Sequence, residues 1–81
     1  MIKVPHGLKE EFPEHAGVLD ELRRGDATFA RLCEKYEQAN AEVSLMESGV
    51  QPLADHVERD MRKRRMMFKD EIADYLRNLG R

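Results

Sequence analysis

The chain reads as an all-α protein, a short N-terminal helix followed by an antiparallel two-helix coiled-coil hairpin. Three observations predict it. Phe29, Leu32, Tyr36, Ala39, Val43, Met46 and Val50 alternate steps of three and four, the seven-residue seam of helices that pack on one another. After Pro52 a second seam follows in Met61, Phe68, Ile72, Tyr75 and Leu79. Charged residues make up 37% of the chain, above the ~25% usual for globular domains, while proline, glycine and aromatic residues are sparse. Exposed helices carry such a composition more readily than the layers of an α/β fold.

Taken in order, residues 1–11 contain Pro5 and Gly7 and little that packs, so they are expected as a flexible or loosely docked arm. Residues 12–81 then form a single helical domain with helices at about 13–24, 26–48 and 53–79. Pro13 suits a first helical turn, where its missing N–H costs nothing. Phe12, Ala16, Leu19 and Leu22 share one side of that helix, Arg23 and Arg24 favour its C-terminal dipole, and Gly25 stops it. Asp26 is placed to cap the second helix, which Gly49 ends after ~35 Å. Pro52 forbids continuation, so the chain turns back into a third helix beginning between Leu53 and Asp55. Asp55 and Glu58 stand at a capping-box spacing, and Gly80 follows the last turn.

Facing residues of an antiparallel pair keep a constant sum of residue numbers. A sum of 104 sets Val43 against Met61, Tyr36 against Phe68, Leu32 against Ile72 and Phe29 against Tyr75. It also sets Ala39 against Arg65, whose long stem fits over a small residue, and Met46 against Glu58. Lys35 with Glu71 and Glu42 with Arg64 then flank the seam as attractive pairs, worth a few tenths of a kcal/mol each. Leu19 and Leu22 are expected near Leu76 and Leu79. Leu45, Val57, Met66, Met67 and Leu76 are not all absorbed by a two-helix contact.

A core this small is marginal without help. The help is not an intrachain disulfide, because Cys33 is the only cysteine, which fits a reducing cytoplasm. Self-association into a homo-oligomeric bundle is the expected remedy. The first ten residues lack the apolar run of a signal peptide, and no stretch reaches the ~20 apolar residues of a membrane span. A net charge of −2 argues against bulk affinity for nucleic acid.

Candidate chemistry is thin. His6, His15 and His56 share no i, i+3 or i+4 pair, and Cys33 lies far from each, so no metal spacing arises. No glycine-rich phosphate loop or Ser–His–Asp arrangement is visible, and carboxylates such as Asp70 and Asp74 read as hydrated. No enzyme activity and no cofactor are expected. The sharpest feature is Arg59, Arg62, Lys63, Arg64, Arg65 and Lys69, six basic residues within eleven. They are spread over several helix faces and are countered by Glu34, Glu37, Glu42 and Glu47.

The run from Pro5 through Phe12-Pro13-Glu14-His15, with Asp26 to Leu32, resembles the YdcH family. Met61-Arg62-Lys63-Arg64-Arg65-Met66-Met67-Phe68-Lys69-Asp70-Glu71-Ile72 is similar to that family's Leu-Arg-Lys-x-Arg-Leu-x-Leu-Lys-Asp-Glu-Ile signature. Tyr36, Asn40 and Glu47 also fall where relatives tend to have them, so the likeness covers nearly the whole chain. Relatives often carry Ile-His-Arg where this chain has Val43-Ser44-Leu45, so Leu45 adds apolar surface here. The resemblance implies small, uncharacterised bacterial cytoplasmic proteins of helical-hairpin form without an established biochemical role. Beside it, Glu71 is expected to anchor Lys35 while Lys69 and Asp70 face outward.

The expected function is protein–protein interaction or self-assembly through an exposed helical face made of Leu45, Arg59, Arg62, Lys63, Met66 and Met67. The alternative is a weak nucleic-acid-binding accessory protein using the basic helix 59–69. No membrane partner is expected.

Overall fold

The computed structural model describes residues 6–49 and 53–79. The elements are α1 (Leu8–Glu11), a 3-10 turn (Pro13–His15), α2 (Leu19–Gly25), α3 (Ala27–Glu47) and α4 (Asp55–Leu79). The long helices α3 and α4 form the hairpin, α2 lies against α3, and the molecule measures 43 × 28 × 20 Å. Val50, Pro52 and Gly80, invoked above for the seam and the helix ends, lie outside the described residues.

The ends of α3 follow the local chemistry of the sequence. The Asp26 carboxylate accepts hydrogen bonds from the amides of Thr28 (2.9 Å) and Phe29 (3.2 Å), satisfying two donors of the first turn. At the other end Gly49 takes φ +76°, the left-handed conformation that stops a helix at low steric cost. In α4 the Ala54 carbonyl accepts from Val57 and Glu58, which leaves Asp55 inside the first turn, where its charge favours the dipole.

The hairpin register is visible at its base. The rings of Phe29 and Tyr75 stack with centroids 4.1 Å apart, one of the layers that the sum of 104 requires. Tyr36 and Ile72 are buried in the same cluster, with Leu32, Phe68 and Tyr75 packed partly buried against it. Ala39, Val43 and Met46 continue the buried side of α3 towards the turn. Near Ala39 the half-buried Arg65 donates to Asn40 Oδ1 at 3.4 Å, so the basic side chain is taken up by a neighbour in the seam.

The buried stripe on α3 is wider than a two-helix seam. Cys33 is fully buried while Leu32 is only partly buried, and Asn40 joins Ala39 inside. The cause is a second packing partner. Leu8 and Leu19 belong to the same core cluster, so α1 and α2 cover the flank of α3 that a bare hairpin would leave wet. Cys33 is thus a packed apolar side chain, and burial raises its thiol pKa to about 11.

Several expectations need correction. The single helix expected at 13–24 is broken: a 3-10 turn ends at His15, and α2 starts only at Leu19 after Gly17 and Val18. The break lets Phe12 and Leu19 meet one core from separate elements. Leu19 reaches the cluster that contains Leu76, whereas Leu79 stays largely exposed. Residues 6–11, expected as part of a loosely docked arm, carry a turn of helix with Leu8 buried. Residues 1–5 lie outside the described residues. The expected pairs Lys35–Glu71 and Glu42–Arg64 do not form. Lys35, Glu42 and Arg64 instead border a shallow groove over Ala39 and Phe68, where water competes for each charge.

Candidate interaction surface

The surface is built on α4, which shows the core only one side. Ile72 and Leu76 are buried there, with Met61, Arg65, Phe68, Lys69 and Tyr75 partly covered. At 3.6 residues per turn, Arg59, Lys63, Met66 and Met67 fall on the side turned away from α3, and all are exposed. Met66 and Met67 are 57% and 51% exposed, large values for apolar side chains side by side on a rigid helix. Arg62 points along the edge of this side and reaches Glu47 of α3 at 3.6 Å. Leu45 is 63% exposed on the outward side of α3, so it does not join the methionines within one molecule. Five of the six expected surface residues therefore share one helix, and Leu45 stands apart.

Beside Met66 lies a second feature, a groove of about 360 Å³ lined by His6, Glu11, Tyr36, Arg62, Arg65 and Lys69. His6 holds φ +63°, a conformation that few non-glycine residues adopt. Its carbonyl is gripped by the Tyr36 hydroxyl (2.7 Å) and by Asn40 Nδ2 (3.4 Å). Glu11 bonds Lys69 and lies 3.3 Å from the His6 ring, so the strained turn is tied to both long helices. Lys69 therefore does not face outward as expected; it clamps the N-terminal segment to α4.

Sequence reasoning missed this clamp because Glu11 and Lys69 are 58 positions apart and belong to no shared periodicity. The signal that was available is Leu8, an apolar residue in a polar stretch, which has reason to dock and bring Glu11 with it.

The hydrogen bond from Lys69 holds the Glu11 carboxyl below the usual carboxylate range, with His6 adding to the effect and burial opposing it. A carboxylate whose folded pKa is depressed stabilises the fold above its unfolded pKa, and that stabilisation is lost as pH falls through the folded value. Thermal melts between pH ~5 and pH ~3 are expected to show a loss of stability that is smaller in Glu11→Gln than in the wild type. Equal losses in the two proteins would mean that Glu11 carries none of the acid sensitivity. Asp26 contributes in the same sense, its carboxyl held down by the Phe29 amide first and then by the Tyr75 hydroxyl.

Among the described residues no three or more His, Cys, Asp or Glu side chains gather as a metal site. No helix among them is long and apolar enough to cross a membrane.

Fold and surface together define a small all-α helical-hairpin protein with an uncovered face on its second long helix. A family model described as a protein of unknown function, DUF465, matches residues 29–76, which is nearly all of the hairpin and more than half of the chain. The protein belongs to that family, which is the YdcH family that the sequence resembles. No curated protein and no solved structure matches it.

Proposed function

We propose that this protein is a non-enzymatic, cytoplasmic interaction module that docks on other protein surfaces, its own copies included, through the outward face of α4. The observation that carries this reading is the adjacent exposed pair Met66 and Met67, flanked by Arg59 and Lys63. Isolated exposed apolar residues are ordinary on protein surfaces, but two thioethers together on a helix already anchored on its other side are suited to an adaptable contact. Helix-in-groove and helix-on-helix recognition use this geometry.

The nucleic-acid alternative draws less support. Of the six cations between 59 and 69, Arg62 is engaged by Glu47, Arg65 by Asn40 and Lys69 by Glu11. Arg59, Lys63 and Arg64, which form no ion pair among the described residues, are interrupted by Asp60, which makes a poor track for a phosphate backbone.

Photo-crosslinking inside the producing cell tests the proposal. A photoreactive side chain at position 66 or 67 is expected to capture protein in a nuclease-resistant band, while the same group at Glu34 of α3 captures little. Crosslinks that disappear with nuclease would transfer the function to the basic stretch. Equal capture from positions 66 and 34 would remove the α4 face as the docking surface.

A further inference from the structure

We infer that the outward face of α4 is a two-fold interface between two copies of this chain, the two α4 helices running antiparallel about Met66 and Met67. This deepens the interaction-module reading and rests on it. The order of charges along the face supports this interface. Arg59, Lys63, Met66, Met67, Asp70 and Asp74 follow one another along the side of α4 opposite Ile72 and Leu76, and each is exposed. Before the methionines the face carries Arg59 and Lys63, with Asp60 towards its edge, and after them it carries Asp70 and Asp74, with Arg77 in the last turn, so a net basic half precedes a net acidic one. A helix with that polarity is complementary to an inverted copy of itself.

The register can be stated. With facing residue numbers summing to 133, Lys63 lies opposite Asp70 of the second copy and Arg59 opposite Asp74, while the four methionines gather around the two-fold axis. Symmetry repeats each attraction, as an isologous contact requires. Alternative pairings are penalised. Slipping by one heptad in one direction sets Asp70 against Asp70, and in the other it sets Lys63 against Lys63. A parallel pairing sets every charge against its own kind. Like charges at such positions discriminate between registers even where each pair contributes little on its own.

The groups are available for such a contact. Arg59, Lys63 and Asp70 form no ion pair among the described residues. Asp74 holds only an exposed pair with Arg77, 2.8 Å away on its own helix. The N-terminal segment packs beside Ala73 and Leu76 along a different edge of α4, and α2 packs on α3, so neither covers the face.

Sedimentation equilibrium from micromolar to near-millimolar protein, on charge-reversal variants, is the test. The wild type is expected to dimerise. Lys63→Glu and Asp70→Lys each turn two symmetry-related attractions into repulsions and are expected to weaken the dimer about tenfold. The double variant K63E/D70K inverts the pair and restores wild-type association, and a mixture of the two single variants forms a heterodimer. Both residues are exposed, so circular dichroism should report unchanged helix content throughout. A wild type that stays monomeric overturns the inference, as does a dimer indifferent to both reversals. A dimer weakened by each reversal but not rescued by the double variant overturns the register. A monomer that still captures a different protein from positions 66 and 67 would discard this interface and keep the broader reading.

Discussion

Replacing Phe29 by alanine is expected to cost about 3–5 kcal/mol, as aromatic truncations in packed cores do. A chain of this size holds on the order of 5 kcal/mol in total, so the variant should be largely unfolded at room temperature. The size of the effect follows from where the ring sits. Phe29 opens α3 one turn after the Asp26 cap, is fully buried, and stacks on Tyr75 near the end of α4. Tyr75 in turn donates to Asp26 at 2.9 Å, so ring contact and cap form one closed unit at the base of the hairpin. Truncation opens a cavity and loosens Tyr75, which removes support from the carboxylate that starts α3. Urea unfolding followed by circular dichroism measures the loss, and Leu45→Ala, at an exposed position, serves as the control with little change. A loss for Phe29→Ala below ~1 kcal/mol would show that this layer does not hold the hairpin together.

The hairpin was legible in the sequence because its signals are local and periodic. The seam from Phe29 to Met46, the Asp26 cap and the Gly49 stop are each set by residues a few positions apart, and all three appear in the structure. One long-range feature was also legible, since an antiparallel pair links two periodic patterns by a single offset, and the Phe29–Tyr75 stack satisfies it. What was not legible depends on aperiodic contacts. Cys33 is inside because Leu8 of α1 and Leu19 of α2 pack on that flank of α3, and Asn40 meets the His6 carbonyl and Arg65; nothing in the period of α3 announces these contacts. The His6–Glu11–Lys69 clamp joins segments with no common repeat, so Lys69 read as one more solvated cation. Of the expected surface residues, Arg59, Arg62, Lys63, Met66 and Met67 share α4, while Leu45 lies on α3 and is separated from them by the position of its own helix.

Two substitutions at Tyr36 are expected to separate the contribution of the core from that of the clamp. Tyr36→Ala should cost about 3–5 kcal/mol, because it removes a buried ring that lies between the hairpin and the N-terminal segment. Tyr36→Phe keeps the ring and deletes only the 2.7 Å hydrogen bond to the His6 carbonyl. Its global cost should be near 1 kcal/mol, since Asn40 remains as a longer, weaker donor to the same carbonyl. The local consequence is larger in proportion. His6 holds its strained left-handed turn against that hydroxyl, so without it the turn relaxes and Gly7 to Phe12 loses its anchor. Hydrogen exchange resolves the two outcomes. In Tyr36→Phe the amides of Glu10, Glu11 and Phe12, bonded to the carbonyls of Gly7 and Leu8, should exchange faster while those of α3 and α4 keep their protection. In Tyr36→Ala protection should fall everywhere together. If the phenylalanine variant exchanges like the wild type, Leu8 burial and the Glu11–Lys69 bond suffice to hold the segment, and the hydroxyl does no more than satisfy a carbonyl.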